Sequence, residues 1–312
     1  MNVVETSRLA KRYRRTWALR DCNLAVPAGR IVALVGPNGA GKTTLLHCAV
    51  GLCTATNGNI TVLGDLGAGS LEALERVAFV AQDAPLYKYL PVRSMVAVAR
   101  NLNSRFDQAQ AEERLRGLEI PPDRKVGKLS GGQQAQLALT LALARGPDLL
   151  VLDEPLARLD PLARHDFMAL VMAAVAASGF SVIFSSHVVS ELERFADYLI
   201  VLANGRVQMV GDIDDLLASH AVLSGPAEES DLVGEQFTVV QTRKATRHAE
   251  LLVRTTGERR LPSGWESDDV SLEELVLAYL RDPSASMLPG PLAPDELEVG
   301  EVARWRQWPL RP

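Results

Sequence analysis

The feature that most restricts this chain is the loop Gly36-Pro37-Asn38-Gly39-Ala40-Gly41-Lys42-Thr43-Thr44. The run before it, Arg30 to Val35, is apolar without a break after its first residue, as expected of a parallel strand buried on both faces. The LLHCAVGL that follows is helical in pattern. Gly36 to Thr43 fits G-x-x-x-x-G-K-[ST] without departure, in the strand–loop–helix context the motif requires. Glycines let backbone N–H groups turn inward around phosphates, and the helix N-terminus behind them favours negative charge. Lys42 would then reach the β- and γ-phosphates, and the Thr43 hydroxyl would hold Mg²⁺. The loop points to a nucleoside-triphosphate site.

A second signal lies 110 residues beyond Thr43, in Leu149-Leu150-Val151-Leu152-Asp153-Glu154-Pro155. Four apolar residues ending in two carboxylates place Asp153 at the carboxyl end of a buried strand, the edge where open α/β sheets bind ligands. Asp153 is suited to orient Mg²⁺, and Glu154 to polarise an attacking water. Between the two signals stands Leu129-Ser130-Gly131-Gly132-Gln133-Gln134, followed by a helical pattern. Ser130, Gly131 and Gly132 there form a second candidate anion site, or only a helix cap.

The order of these motifs resembles the ATP-binding subunits of ABC (ATP-binding cassette) transporters. The resemblance runs over residues 5–220, and further positions match it. Gln82 falls at the family's Q-loop, 40 residues after Lys42, where it would sense Mg²⁺ and couple to a membrane partner. His187, at the end of FSVIFSSH, matches the switch histidine that contacts the γ-phosphate. Tyr13 matches the aromatic that stacks on adenine, with Trp17 the weaker alternative. Asp160 matches the D-loop aspartate, although Ala157-Arg158-Leu159-Asp160 lacks that loop's usual serine. The resemblance implies a P-loop cassette of α/β class. It would comprise a mainly parallel RecA-like sheet, an antiparallel β part and an inserted helical subdomain over about 84–147. In this family Ser130 to Gln133 of one subunit cap the ATP bound by the other.

One phosphate loop and one LSGGQ make half of two composite sites, so a second cassette, most simply a homodimer, is expected. No secretory signal is evident at the N-terminus. The apolar stretch 167–184 is about the length of a membrane span, roughly 17–25 residues. It is interrupted at Ser178-Gly179 and reads as a helix followed by a buried strand. The membrane permease is therefore expected on a separate chain, with this subunit peripheral on the cytoplasmic face. Pro85, Leu86, Tyr87 and Tyr89 are candidates for its docking contact, or for ordinary core.

Composition agrees with a globular chain: 312 residues, 47% hydrophobic, net charge −5. The mild acidity argues against a general nucleic-acid binder. Cys22, Cys48 and Cys53 form no CxxC pair and suit a reducing compartment as small core or surface residues. Strands within about the first hundred residues read as short, with Asn57-Gly58 marking a turn. Residues 221–287 read as a small accessory unit with half-exposed strands at Gln236–Thr242 and Glu250–Thr255. Its helix is capped by Ser271 and Glu274 and stopped by Pro283. Residues 288–312, with Trp305 and Trp308, are expected to be disordered. The C-terminal part resembles exporter cassettes, so export is expected over import. A soluble ABC ATPase acting on DNA or ribosomes is the alternative from another class. Ser130 follows Lys42 by 88 positions, a stretch with neither heptads nor CxxC, and the chain has a single cassette, which disfavours it.

Overall fold

The structure is a computed structural model; it describes residues 1–83, 85–157, 159–189, 192–255 and 261–281. Arg158, Pro283 and the expected tail with Trp305 and Trp308 lie outside the described residues. The chain opens with β1 (Asn2–Tyr13) and β2 (Thr16–Pro27), each 12 residues long, in place of the short strands expected. Tyr13 pairs directly with Thr16, so the connection is the two residues Arg14 and Arg15. β3 (Ile31–Val35) is buried at every position and runs into the glycine loop and α1 (Lys42–Ala49). β4 (Asn57–Val62) and β5 (Leu66–Gly67) complete an antiparallel sheet of order β2-β1-β4-β5.

Asn57-Gly58 opens β4 and makes no turn. Gly58 has φ +77°, and a Cβ there would lie 2.2 Å from the Arg8 carbonyl oxygen, beside the bulge where β1 passes from Ser7 to Ala10. The glycine serves a close approach between strands rather than a chain reversal.

After α2 (Leu71–Arg76) and β6 (Val77–Val80), the chain leaves the sheet for α3 (Val92–Leu102), α4 (Gln108–Gly117) and α5 (Gly131–Leu143). Val92, Met95, Ala111, Leu115, Leu137 and Leu141 give these helices a small core of their own. β7 (Leu149–Leu152) follows, then α6 (Pro161–Ser178), ended by Gly179 at φ +67°, then β8 (Ser181–Ser186). The apolar stretch 167–184 thus divides between a helix and a buried strand. No helix of the described residues is long and apolar enough to cross a membrane. β9 (Tyr198–Ala203), β10 (Arg206–Asp212) and α7 (Ile213–Ala218) close this part of the chain.

The main sheet has the order β10-β9-β3-β8-β7-β6, parallel except for β10. Three neighbouring strands, β3, β8 and β7, therefore release their carboxyl ends side by side. The glycine loop, His187 and the Asp153-Glu154 pair follow those ends. Short, continuous runs of Val, Ile and Leu suit strands covered on both faces by helices.

The remaining elements are β11 (His220–Pro226), α8 (Ser230–Gly234), β12 (Thr238–Lys244), β13 (His248–Arg254), β14 (Glu266–Asp268) and α9 (Leu272–Arg281). The four strands form a third sheet of order β12-β13-β11-β14. β13 is not half-exposed: Leu251 and Val253 pack with Trp265 and Val233, while Leu252 faces the opposite core. On that second face Leu252 is covered, whereas Glu250 and Arg254 stay partly exposed. The Ser271–Glu274 capping box is present, the serine hydroxyl accepting from Glu274 N and donating to its carboxylate. Leu272, Leu275, Val276 and Tyr279 of α9 join Leu199, Val201 and Met209 of the main sheet in one core.

Candidate nucleotide site

Gly36 begins the turn because no side chain fits there: a Cβ would lie 2.1 Å from the Leu202 carbonyl oxygen. Gly41 sits at φ +108° with a Cβ position 2.5 Å from the Ala18 carbonyl oxygen, so it is excluded to other residues on both counts. These two glycines deliver Lys42 to the first residue of α1. The side chain folds back over the loop. Its ammonium donates to the Gly36 carbonyl at 2.7 Å and pairs with Glu154 Oε1 at 3.1 Å. Lys42 is 5% exposed, and buried charge of this kind is tolerated only when paired and hydrogen-bonded.

Glu154 binds at both oxygens. Its Oε2 lies 2.7 Å from Nδ1 of His187, whose ring is about half exposed. With the proton on Nδ1, His187 donates to the carboxylate, and Lys42, Glu154 and His187 form a continuous chain. Glu154 adopts φ +47°, a left-handed conformation that costs a non-glycine residue free energy and persists only when its surroundings hold it.

What holds it is a residue that sequence reasoning missed. Ser185 on β8 is fully buried; its hydroxyl accepts from the Glu154 backbone N–H at 2.8 Å and donates to Asp153 Oδ1 at 2.8 Å. The same Asp153 oxygen accepts from the Thr43 hydroxyl at 3.2 Å. One serine thus ties both carboxyl-end acids to the strand beside them. In the sequence, FSSH carried no sign of it beyond two polar residues closing an apolar run.

Tyr13, Pro37, Asn38, Gly39, Ala40, Gly41, Lys42, Thr43, Thr44, Gln82, Glu154 and His187 line one open cleft of about 380 Å³. Asp153 lies behind it, 3% exposed. Tyr13 stands at the mouth, 47% exposed, with the Lys11 ammonium 5.1 Å from its ring centre. Trp17 instead lies under the Arg12 guanidinium and does not line the cleft. Ser130, Gly131, Gly132, Gln133 and Asp160 do not line it either. Ser130 caps α5 in a reciprocal box with Gln133, and Asp160 caps α6. These two helix starts adjoin, since a Cβ on Gly132 would meet the Ala163 side chain at 3.2 Å. Both are open to solvent on this chain alone.

The model of the ABC transporter family matches residues 19–157. A putative ABC transporter ATP-binding protein of Methanopyrus kandleri is 34% identical over 86% of this chain and 96% of its own length. The chain belongs to the ABC transporter ATP-binding family. A molybdenum import ATP-binding protein of Aromatoleum aromaticum is 35% identical over 64% of this chain, which spans only 55% of that protein. Among solved structures, a dimeric ATP-binding cassette in a post-hydrolysis state with ADP and Pi superposes with TM-score 0.61 at 25% identity, covering 67% of this chain and 98% of that one. The cassette fold expected from the motifs is therefore the fold of this chain, which is a member of an ATPase family.

Proposed function

We propose that this cassette binds and hydrolyses ATP in the Tyr13–His187 cleft and drives a separate membrane permease by closing against a second cassette. One observation carries the reading: residues far apart in sequence converge as the Lys42–Glu154–His187 chain directly above Asp153 and Thr43. Tyr13 supplies the face for adenine. The loop from Gly36 to Thr44 wraps the phosphates with backbone N–H groups. Phosphate oxygens compete with Glu154 for the Lys42 ammonium, which frees a carboxylate still held by His187 to polarise water.

The oxygens of Thr43 and Asp153, 3.2 Å apart, suit a hard cation, and Gln82 lines the same cleft. No group of three or more His, Cys, Asp or Glu that could hold a metal ion occurs among the described residues. Bound there, Mg²⁺ would neutralise phosphate charge.

The exposed starts of α5 and α6, bearing Ser130–Gln133 and Asp160, suit contact with ATP on a partner cassette. The dimeric solved cassette supports this reading. Tyr87 and Tyr89, 53% and 68% exposed with ring centres 6.0 Å apart, are the surface offered to the permease on the cytoplasmic face of the membrane. Leu86 instead packs into the helical core. On direction, the export expectation gives way: the molybdenum import relative favours import. Residues 1–220 act as the motor, and 221–287 as an extension fused to its core through α9.

Titration of purified protein with a fluorescent ATP analogue tests the site. Binding should require Lys42 and be lost in Lys42→Ala. Unchanged binding in that variant would remove the reading.

A further inference from the structure

Beside the cleft, next to Thr44, two thiols meet. Cys48, in the last turn of α1, and Cys53, in the loop after it, place their sulfurs 3.3 Å apart. The approach is built by the backbone. Gly51, at φ +75°, reverses the chain past the helix end, and the N–H groups of Leu52 and Cys53 both donate to the His47 carbonyl at 2.8 and 3.3 Å. That closure returns Cys53 beneath the helix it has just left. A disulfide bond measures about 2.05 Å, so closing this pair asks the sulfurs to move by little more than about an ångström.

The two thiols are unequal. Cys48 is 1% exposed, whereas Cys53 is partly open. Burial, and then the neighbouring Cys53, push the Cys48 thiol up to about 12, which keeps it protonated at neutral pH. The third cysteine, Cys22, is fully buried, lies against the Gly205 carbonyl at 3.2 Å and faces no second sulfur in bonding contact among the described residues. An accessible thiol next to a sheltered one is the arrangement of a sensing and a resolving cysteine.

We propose that Cys48 and Cys53 form an oxidative modification site that hydroperoxides convert to an intramolecular disulfide, and that its closure weakens nucleotide binding. The Cys53 thiolate attacks the peroxide oxygen. The O–O bond breaks, Cys53 becomes a sulfenic acid, and the departing hydroxide or alkoxide takes up the proton that the thiol released, leaving as water or an alcohol. The Cys48 sulfur then attacks the Cys53 sulfur; the S–O bond breaks, and hydroxide takes the Cys48 proton and departs as water. Two thiols lose two electrons in total, and one peroxide gains them.

The link to nucleotide runs through Thr44 of the phosphate loop. The Cys53 thiol donates to the Thr44 carbonyl at 3.9 Å, and Thr44 lines the cleft together with Tyr13. Burial, and then Cys53, also hold the Tyr13 phenol above its ordinary value. Closing the disulfide removes the S–H donor and draws the Cys53 sulfur toward Cys48 and away from the loop. This second half rests on the nucleotide site proposed above; the sulfur chemistry does not.

The full chain is treated with hydrogen peroxide, alkylated after unfolding and mapped by mass spectrometry. The expected product is a Cys48–Cys53 cross-link, reversed by dithiothreitol, with Cys22 still alkylated. In Cys48→Ser, Cys53 should stop at the sulfenic acid and react with dimedone. In Cys53→Ser, Cys48 should remain a thiol. Accumulation of Cys53 sulfenic or sulfinic acid in the wild type beside an alkylated Cys48, or two unreacted thiols, would overturn the site. Fluorescent-ATP titration of the cross-linked protein should show roughly two- to tenfold weaker binding than the reduced form, the share one hydrogen bond to the loop supplies. Equal affinity in the two forms would overturn the coupling while leaving the mapped disulfide and the reduced nucleotide site intact.

Discussion

Replacing Ser185 with Ala removes one oxygen from a fully buried position and should disable the site without emptying it. Two hydrogen bonds of 2.8 Å are lost, one from the Glu154 N–H and one to Asp153 Oδ1. Asp153 keeps the Thr43 hydroxyl as a donor. The Glu154 N–H is left without its partner in a site where that residue is already strained at φ +47°. An orphaned buried donor costs about 1–3 kcal/mol. The left-handed conformation stores free energy of the same order, about 1–3 kcal/mol, and its relaxation would carry the carboxylate off Lys42 and His187. A loss of about 2 kcal/mol of positioning corresponds to roughly thirtyfold in turnover. The assay is phosphate release at saturating MgATP, beside guanidinium unfolding and nucleotide affinity. Turnover should fall roughly thirtyfold and stability by about 1–3 kcal/mol, with ATP affinity largely kept because Lys42 and the loop are untouched. Ser186→Ala is the control: that hydroxyl accepts from Val188 N and touches neither acid. Wild-type turnover and stability in Ser185→Ala would refute the claim that this hydroxyl holds Glu154.

Two further predictions concern the C-terminal unit and its junction with the motor. His220 is buried with Nδ1 against the Leu216 carbonyl and Nε2 against the Tyr279 hydroxyl, at 2.7 and 2.9 Å, and burial lowers its pKa. The folded state therefore binds its proton less readily than the unfolded state. Stability should be fully present above about pH 6.5 and decline as pH falls through that value. Urea unfolding at pH 7.5 and 5.5 should show the loss, and His220→Gln should remove its share of it; a slope unchanged in the variant would contradict the assignment. Leu275 of α9 is fully buried in the core shared with β9 and β10, so Leu275→Ala should cost about 2–5 kcal/mol. Differential scanning calorimetry should show the cassette's own transition moving down with it, whereas an unmoved main transition would mean that α9 folds apart from the motor.

How much could be read in advance follows from where the information is stored. Contiguous motifs were legible: the loop at 36–44, the acids at 153–154 and the serine cap at 130 each carry their local geometry in adjacent residues. His187 was legible only because its distance from Glu154 matched a family pattern. Ser185 was not, since its role exists only once β8 lies between β3 and β7 and brings it beside Glu154. Cys48 and Cys53 gave no motif, because their meeting depends on the chain reversal at Gly51. Asn57-Gly58 misled for the same reason, as a glycine demanded by a neighbouring strand looks like one demanded by a turn. The half-exposed reading of 250–255 missed Leu252, which a second core covers on the face that Glu250 and Arg254 leave partly open.

The central claim is that Glu154 activates the hydrolytic water in a site completed by a second cassette. Glu154→Gln keeps the shape and removes the charge. Gel filtration of this variant with MgATP should give a dimer that persists, with phosphate release reduced to background, while the wild type reverts to monomer as ATP is consumed. A Glu154→Gln protein that stays monomeric with ATP bound, or that hydrolyses it at the wild-type rate, would contradict the account.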